Sequence, residues 1–260
     1  MVVLSGFRAF LKRKDIEISL RRYGIDALGA MAQGLFCSLL IGTILNTLGS
    51  QTGVAIFSTV GGYATAVSGP AMAVAIGYAL KCPPLVLFSM VPVGWASNAL
   101  GDAGGPLAVL VIAIVAAEVG KMVSKETPVD VLVTPLVTIF AGVALAALIA
   151  PPIGAGANYV GALIKRATVL QPFWMGIIVS ASVGIALTLP ISSAAICHSF
   201  NLVGLAGGAA VAGCCANMVG FAIMSFRENR WGGLISQGLG TSMLQMGNIV
   251  KNPRIWLPAI

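Results

Sequence analysis

Residues 128–150 read PVDVLVTPLVTIFAGVALAALIA and contain one charged side chain, Asp130. A helix formed by this stretch is long enough to cross about 30 Å of hydrocarbon, because each helical residue adds about 1.5 Å. The apolar residues are continuous rather than alternating, which is typical of a membrane helix and not of a strand in a membrane barrel. The stretch therefore predicts a transmembrane helix.

Similar apolar runs recur along the chain. Hydrophobic residues make up 58% of the sequence and charged residues 9%, whereas a soluble domain has about 25% charged residues. The sequence thus predicts an all-α, polytopic integral membrane protein with seven firm membrane segments and an eighth, weaker one. Besides 128–150, these segments are residues 24–49, 52–80, 84–100, 105–120, 172–197, 202–225 and, more weakly, 232–250.

Glycine and proline interrupt several of these segments. Proline removes a backbone donor and glycine adds backbone freedom, so both favour breaks in a helix. Broken helices at membrane depth line protected cavities and form substrate sites in many transporters. The sequence therefore predicts broken or re-entrant helices, with breaks at Gly61-Gly62, Gly69-Pro70, Pro83-Pro84, Pro92, Pro190 and Gly207-Gly208.

Basic residues lie at the ends of the apolar segments, among them Arg21, Lys81, Lys121 and Arg227. Despite the net charge of +7, this distribution indicates membrane topology rather than nucleic-acid binding. It places the N-terminus on the cytoplasmic side. Glu118 and Lys121 are expected to form a pair that reaches towards the cytoplasmic face.

Two regions follow from these patterns. In residues 1–23, apolar side chains recur at helical spacing among basic ones, which predicts a cytoplasmic amphipathic helix at the membrane surface. Residues 24–260 are expected to form one membrane-embedded domain. The last stretch, KNPRIWLPAI, opens an apolar run without completing it, so we expect the natural protein to continue beyond Ile260.

Polar side chains inside membrane segments are costly and are therefore candidates for a binding site. His198, the only histidine, and Asn201 follow the segment that Pro190 interrupts. A broken helix end there can present both side chains to a polar solute. The alternative places His198 at the lipid–water boundary with only a local hydrogen bond.

Asn98 and Asp102 form a second candidate pair. Their spacing of four residues places them on one helical face near Trp95, and an amide, a carboxylate and an aromatic ring suit a sugar or polyol. The alternative is that Asp102 satisfies backbone amides in the Gly-Gly-Pro turn that follows it.

Further amides occur near the end of the chain. Gln237, Thr241 and Gln245 are spaced as a polar stripe on one helix face, which favours the lining of a cavity over a position at the membrane surface. Asn217 is a lone amide in an apolar segment, suited either to solute binding or to a hydrogen bond between helices.

No motif in the sequence indicates a self-contained active site. Phosphate-binding loops, zinc-ligand spacings and nucleophile elbows are missing, and the five cysteines include no C-x-x-C pair. We therefore expect no cofactor and no metal site. A redox or metal role for Cys214-Cys215 is the weakest of the alternatives.

The stretch GLAGGAAVAGCCANMVGFAIMSFRENRWGGLISQGLGTSMLQMGNIVKNPRIWLPA, Gly204 to Ala259, resembles the membrane-embedded IIC-like family of the bacterial sugar phosphotransferase system. SFREN and QGLGTSMLQ are its most specific parts, and the similarity is closest to the branch of perfringolysin-regulator-type membrane proteins. The resemblance implies a homodimeric, multi-pass permease of the bacterial cytoplasmic membrane, served by separate IIA and IIB proteins.

Two functions remain open on the sequence alone. The first is a IIC-like permease that binds and translocates a small polar solute, such as a sugar, with substrate contacts from His198, Asn201, Asn98, Asp102, Gln237 and Asn217. The second is a membrane-embedded regulator or sensor that binds a ligand or partner without transport.

Overall fold

The computed structural model describes residues 9–167, 171–190 and 204–259, and these residues form helices and turns without a strand. The α-helices are α1 Leu28–Leu35, α2 Ile41–Thr52, α3 Ala55–Ala66, α4 Ser68–Ala79, α5 Pro84–Gly101, α6 Gly105–Val123, α7 Asp130–Ala167, α8 Pro172–Thr188, α9 Gly204–Met224, α10 Phe226–Ile235 and α11 Met246–Lys251. Shorter π or 3₁₀ turns are Arg22–Ala27, Phe36–Leu40, Asp102–Gly104, Ser236–Gly240, Ser242–Gln245 and Pro253–Ala259.

Four helical runs are long and apolar enough to cross a membrane, or five if one bent pair counts as a single span; this assignment rests on length and composition in the described residues. The runs are Arg22–Thr52, Pro84–Val123, Asp130–Ile164 and Gly204–Met224, and the bent pair is α3 with α4. The prediction of an all-helical membrane protein is confirmed. The predicted number of membrane segments, seven to eight, is larger than the four or five that length and composition identify in the described residues.

The run Pro84–Val123 reverses its direction. A Cβ added to Gly120 in α6 would lie 2.7 Å from a methyl of Val86, which is near the start of α5. Residues from opposite ends of the run therefore touch, and α5 and α6 are antiparallel. With 18 and 19 residues, each helix is about 27–29 Å long, close to the thickness of the hydrocarbon core.

Helix breaks occur at some of the expected places and not at others. α3 and α4 meet at an angle of 51°, with the break at Val67, next to the expected Gly69-Pro70. α3 runs without a break through Gly61-Gly62, and α5 runs through Pro92. α7 also continues through Pro151-Pro152 to Ala167, where the sequence predicts a loop after residue 150.

The described residues cluster into two units, which are described separately. Unit 1 consists of residues up to Leu100 together with Ala108–Ala150. In it, α1 packs on α4 and α2 on α3, and glycines allow the close approach: a Cβ on Gly34 would lie 2.6 Å from the carbonyl oxygen of Ala71. Small residues at such contacts are typical of packed membrane helices.

Unit 2 consists of Gly101–Leu107 and Pro151–Ile260. Its main contact joins α8 to α9, around a core that includes Met175, Val179 and Val183. Gly213 of α9 lies directly against the backbone of α8, since an added Cβ would be 2.6 Å from the carbonyl carbon of Ser180. Gly204 and Gly208, whose spacing suggests a helix contact, have no such neighbour among the residues that the structure describes.

Gly213→Ala is expected to destabilise the α8–α9 contact by about 1–3 kcal/mol, because the new methyl group meets backbone that cannot move aside. The matched control is Gly208→Ala on the same helix, where no atom of the described residues lies within 4 Å. Alanine there is expected to be neutral or to stabilise by about 0.5–1 kcal/mol. Melting temperatures of the two detergent-purified variants test this, and equal values would contradict the packing.

Candidate functional site

The chain of unit 2 turns sharply at Thr241, whose backbone is extended (φ −155°, ψ 140°) between a π turn and a 3₁₀ turn. The Thr241 hydroxyl oxygen accepts a hydrogen bond of 3.2 Å from the backbone N–H of Met243, which caps the second turn. The predicted continuous helix with a stripe of Gln237, Thr241 and Gln245 is therefore wrong. The break nevertheless brings Gln237 and Gln245 into direct contact.

Four polar side chains form a continuous hydrogen-bonded chain across this break. Asn248 Nδ2 donates to Gln245 Oε1 over 2.8 Å, and Gln245 Nε2 donates to Gln237 Oε1 over 3.0 Å. Gln237 Nε2 in turn donates to the Ser225 hydroxyl over 2.9 Å. Gln237 and Gln245 are 3% and 6% exposed, so the middle of this chain is shielded from solvent.

Three of these residues line a cavity of about 490 Å³, which we call the amide pocket. Its volume falls within the range of about 300–1,000 Å³ that is usual for small-molecule sites. Gln237 lies behind the wall and holds Gln245 in place. The lining consists of Phe221, Met224, Ser225, Glu228, Asn229, Gln245, Asn248, Arg254, Ile255 and Pro258.

The lining of the amide pocket combines neutral hydrogen-bonding groups with an apolar wall. Each amide has two N–H donors and an oxygen with two lone pairs, and the chain uses only part of that capacity on Gln245 and Asn248. Phe221, Ile255 and Pro258 supply apolar surface, while Glu228 and Arg254 are exposed. Such a surface suits a neutral molecule that has several hydroxyl groups and C–H faces.

Among the predicted site residues, Gln237 belongs to this network and Asn217 does not. Asn217 is fully buried, and neither its Nδ2 nor its Oδ1 has a hydrogen-bond partner among the described residues. It lies at the α8–α9 contact, since a Cβ on Gly184 would be 3.6 Å from the Cβ of Asn217. The alternative of a hydrogen bond between helices is therefore not seen in the described part of the chain, and solute binding by Asn217 stays a prediction.

Asn98 and Asp102 do not share one helical face. α5 ends at Gly101, and Asp102 has a left-handed backbone (φ 46°) that opens a 3₁₀ turn. The exposed Asp102 carboxylate accepts a hydrogen bond of 3.3 Å from Asn158 Nδ2. Asn98 is half-buried, with its Cβ close to Gly69. The turn at residue 102 thus breaks the spacing on which the predicted pair depends.

The predicted binding residues His198 and Asn201 lie outside the residues that the structure describes. Five polar residues of the amide pocket were not predicted from the sequence: Ser225, Glu228, Asn229, Asn248 and Arg254. A signal for Ser225 and Asn248 exists in retrospect, because they flank the stretch that contains the two glutamines. Their meeting depends on the turn at Thr241, which the spacing alone does not reveal.

A second polar cluster lies in unit 1, around Lys121. Its ammonium group is 3.0 Å from Glu118 Oε2 and donates to the backbone oxygens of Asp15 (2.6 Å) and Leu80 (3.2 Å). Glu118 also accepts a hydrogen bond of 3.0 Å from the Tyr23 hydroxyl. Lys121 and Glu118 are 2% and 8% exposed, so the pair is buried in protein rather than reaching towards the membrane surface as expected.

Residues 9–22, which belong to unit 1, contain one ion pair and form two more with Glu126. Asp15 Oδ2 is 2.8 Å from Arg22 Nη2, and Glu126 Oε1 lies 2.7 Å from Arg13 Nη2 and 2.5 Å from Lys14 Nζ. The hydrogen bond from Arg22 lowers the pKa of Asp15 below its usual value. The hydrogen bond from Lys14 likewise lowers the pKa of Glu126.

These lowered pKa values predict an acid-sensitive attachment of residues 9–22. A carboxylate whose pKa is lower in the folded protein adds stability above its unfolded pKa of about 4, and this stability is lost as the pH falls through the folded pKa. We therefore expect a constant melting temperature from pH 7 to about pH 5 and a fall below about pH 4. The double variant Asp15→Asn/Glu126→Gln should have a lower melting temperature at pH 7 and a smaller decrease in acid. Melting temperatures that fall in parallel for the variant and the wild type would contradict this role of the two carboxylates.

Comparison with known proteins gives one result. A family model described as "Phosphotransferase system, EIIC" matches residues 25–260. No curated protein and no solved structure matches the chain.

Proposed function

The chain belongs to the EIIC family of the phosphotransferase system, and on this premise we propose that it binds a small polar solute, such as a sugar, in the amide pocket and translocates it. Membership indicates a membrane transporter linked to the phosphotransferase system. The proposals about the kind of solute and about its binding site rest on the chemistry of the amide pocket.

The observation that carries the proposal is the hydrogen-bonded chain from Asn248 through Gln245 and Gln237 to Ser225. A sugar hydroxyl both donates and accepts hydrogen bonds, and a primary amide matches it with both functions and no charge. The chain also holds the side chains of Gln237 and Gln245 in fixed positions relative to each other. A fixed pattern of this kind supports selection among neutral polar solutes.

The apolar wall complements these polar groups. Phe221, Ile255 and Pro258 line the same cavity, and they offer surface to the C–H faces of a sugar ring. A cavity of about 490 Å³ has room for a monosaccharide and some water. The amide pocket therefore fits a neutral polyol better than a carboxylic acid.

Several further assignments are part of the proposal. Residues 1–23 lie on the cytoplasmic side of the bacterial inner membrane and residues 24–260 form the membrane-embedded domain. The chain acts as a homodimer, and separate IIA and IIB proteins phosphorylate the incoming sugar. His198, Asn201, Asn98, Asp102 and Asn217 remain candidates for contacts along the solute path. The assignment to the perfringolysin-regulator-type branch likewise stays a prediction.

A thermal-shift screen of the detergent-purified protein tests the solute class, because a ligand that binds only the folded state raises its melting temperature. The panel consists of neutral sugars, polyols, sugar phosphates and small carboxylates. We expect a shift with at least one neutral sugar or polyol and none with the carboxylates. If no neutral sugar or polyol raises the melting temperature, the result would contradict the proposed site and favour a regulator without transport.

A further inference from the structure

A strongly basic cavity of about 420 Å³ lies in unit 1, apart from the amide pocket. It is found where α4 and α6 end and where α5 begins. Five cationic side chains line it: Arg13, Lys14, Lys81, Lys121 and Lys125. Two carboxylates, Asp15 and Glu126, line it as well. We call it the basic pocket.

Most of the charges in the basic pocket already have partners within the protein. Glu126 pairs with Arg13 and Lys14, and Lys121 pairs with Glu118, which lies behind the lining. The Asp15 carboxylate pairs with Arg22, also from outside the lining. The pocket therefore retains an excess of positive charge.

That excess is concentrated on Lys81 and Lys125. Both side chains are exposed. Within the described residues neither ammonium group forms a hydrogen bond or an ion pair, although Lys81 lies in the field of the Asp15 carboxylate and Lys125 in that of Asp130. Two ammonium groups that share one cavity repel each other, and an anion placed between them relieves that repulsion. The positive charge of the cavity therefore favours an anionic ligand.

The backbone at these two lysines adds a second observation. Lys81 (φ 57°) follows the end of α4, and Lys125 (φ 61°) follows the end of α6, both in the left-handed region. Glycine is the residue that favours this conformation after a helix. Lysine at both positions is a less stable choice for the fold, and strained positions of this kind cluster at functional sites.

A third observation comes from Ser124, which also lines the basic pocket. Its side chain is 3% exposed, and its hydroxyl oxygen has no hydrogen-bond partner in the part of the chain that the structure describes. Buried hydroxyl groups are nearly always hydrogen-bonded in folded proteins. The hydroxyl is also shielded from the cavity, so it would reach an acceptor oxygen held between the two lysines after the side chain turns to another rotamer.

We propose that the basic pocket binds a phosphate group through Lys81, Lys125 and Ser124. Phosphate offers several acceptor oxygens and negative charge to two ammonium groups and one hydroxyl. The turns after α4 and α6 lie where membrane helices end, which is the level of lipid headgroups, and basic pockets between helices at that level bind anionic lipids. The phosphate belongs either to an anionic phospholipid or to a soluble phosphate compound.

The test uses the double variant Lys81→Gly/Lys125→Gly. The hydrogen bonds that the two lysines donate to described residues come from the backbone N–H, and glycine suits their backbone conformation, so the fold is expected to remain intact. The matched control is Arg230→Gly, which removes a cation at another left-handed position (φ 51°) that does not line the basic pocket. Melting temperatures are measured with short-chain phosphatidylglycerol, with phosphatidylcholine of the same chain length, and with inorganic phosphate.

We expect phosphatidylglycerol to raise the melting temperature of the wild-type protein and of Arg230→Gly. In the double variant, binding should be weaker by about fivefold for each lysine removed, or about 30-fold for the pair. A shift with phosphatidylglycerol alone identifies a lipid headgroup, and a shift with inorganic phosphate identifies a soluble ligand. No shift with either compound, a shift that persists in the double variant, or an equal shift with phosphatidylcholine would overturn the proposal. None of these outcomes depends on the amide pocket, so the proposed transport function is tested separately.

Discussion

Gln245→Met is expected to weaken solute binding by about 10- to 100-fold while changing the size of the side chain little. The substitution removes the centre of the amide chain: Gln237 Oε1 loses its donor and Asn248 Nδ2 loses its acceptor. The bound solute also loses the hydrogen bonds of the Gln245 amide, and a polar group of the solute that is left without a partner costs about 1–3 kcal/mol. The loss is measured as the change in dissociation constant for the solute that gives the largest thermal shift.

Two further variants make this prediction specific. Gln33→Met alters an exposed glutamine in unit 1 and should leave solute affinity unchanged. Asn248→Ala removes an exposed pocket residue and should weaken binding without harming the fold. Unchanged affinity in both Gln245→Met and Asn248→Ala would show that the solute binds elsewhere.

Lys121→Met is expected to cause the largest loss of stability, about 3–5 kcal/mol, because it leaves the buried Glu118 without its counter-charge. Within the described residues, Glu118 then keeps the hydroxyl of Tyr23 as its hydrogen-bond partner and the more distant charge of Arg22. The backbone oxygens of Asp15 and Leu80 also lose a donor. For a chain of this size, the loss corresponds to a fall in melting temperature of about 10 °C.

Removing the charge of Glu118 at the same time tests the cause of this loss. Glu118→Gln/Lys121→Met is expected to recover a substantial part of the stability, since no buried charge is then unpaired. Lys12→Met, at an exposed position in the N-terminal segment, should stay within about 0.5 kcal/mol of the wild type. An equal fall in the double and the single variant would contradict the account of a buried ion pair.

Long apolar runs and breaks between them could be predicted from the sequence, because length and hydrophobicity are local properties. The bend at Val67 lies beside the expected Gly69-Pro70, and α5 and α6 are separate, antiparallel helices as expected. The continuation of α7 through Pro151-Pro152 could not be predicted. Proline weakens a helix, but surrounding residues decide whether the helix ends there.

Contacts between distant residues could not be predicted. Glu118 and Lys121 were recognised as a pair because they are three residues apart, but Tyr23 joins them from another part of the chain. Gly213 rather than Gly204 or Gly208 forms the close contact with α8, because the rotation of α9 decides which glycine faces its neighbour. Gln237 and Gln245 were expected on one continuous helix face, whereas the structure brings them together across the turn at Thr241; their role in binding stays a prediction.

The most direct measurement of the central claim is solute counterflow in proteoliposomes that contain the purified protein. Vesicles are loaded with an unlabelled sugar or polyol from the thermal-shift screen and diluted into the labelled compound. The account predicts transient accumulation of label by the wild-type protein and by Gln33→Met, and at least about a tenfold lower rate for Gln245→Met. No accumulation by the wild type, or equal rates for all three proteins, would contradict transport through the amide pocket.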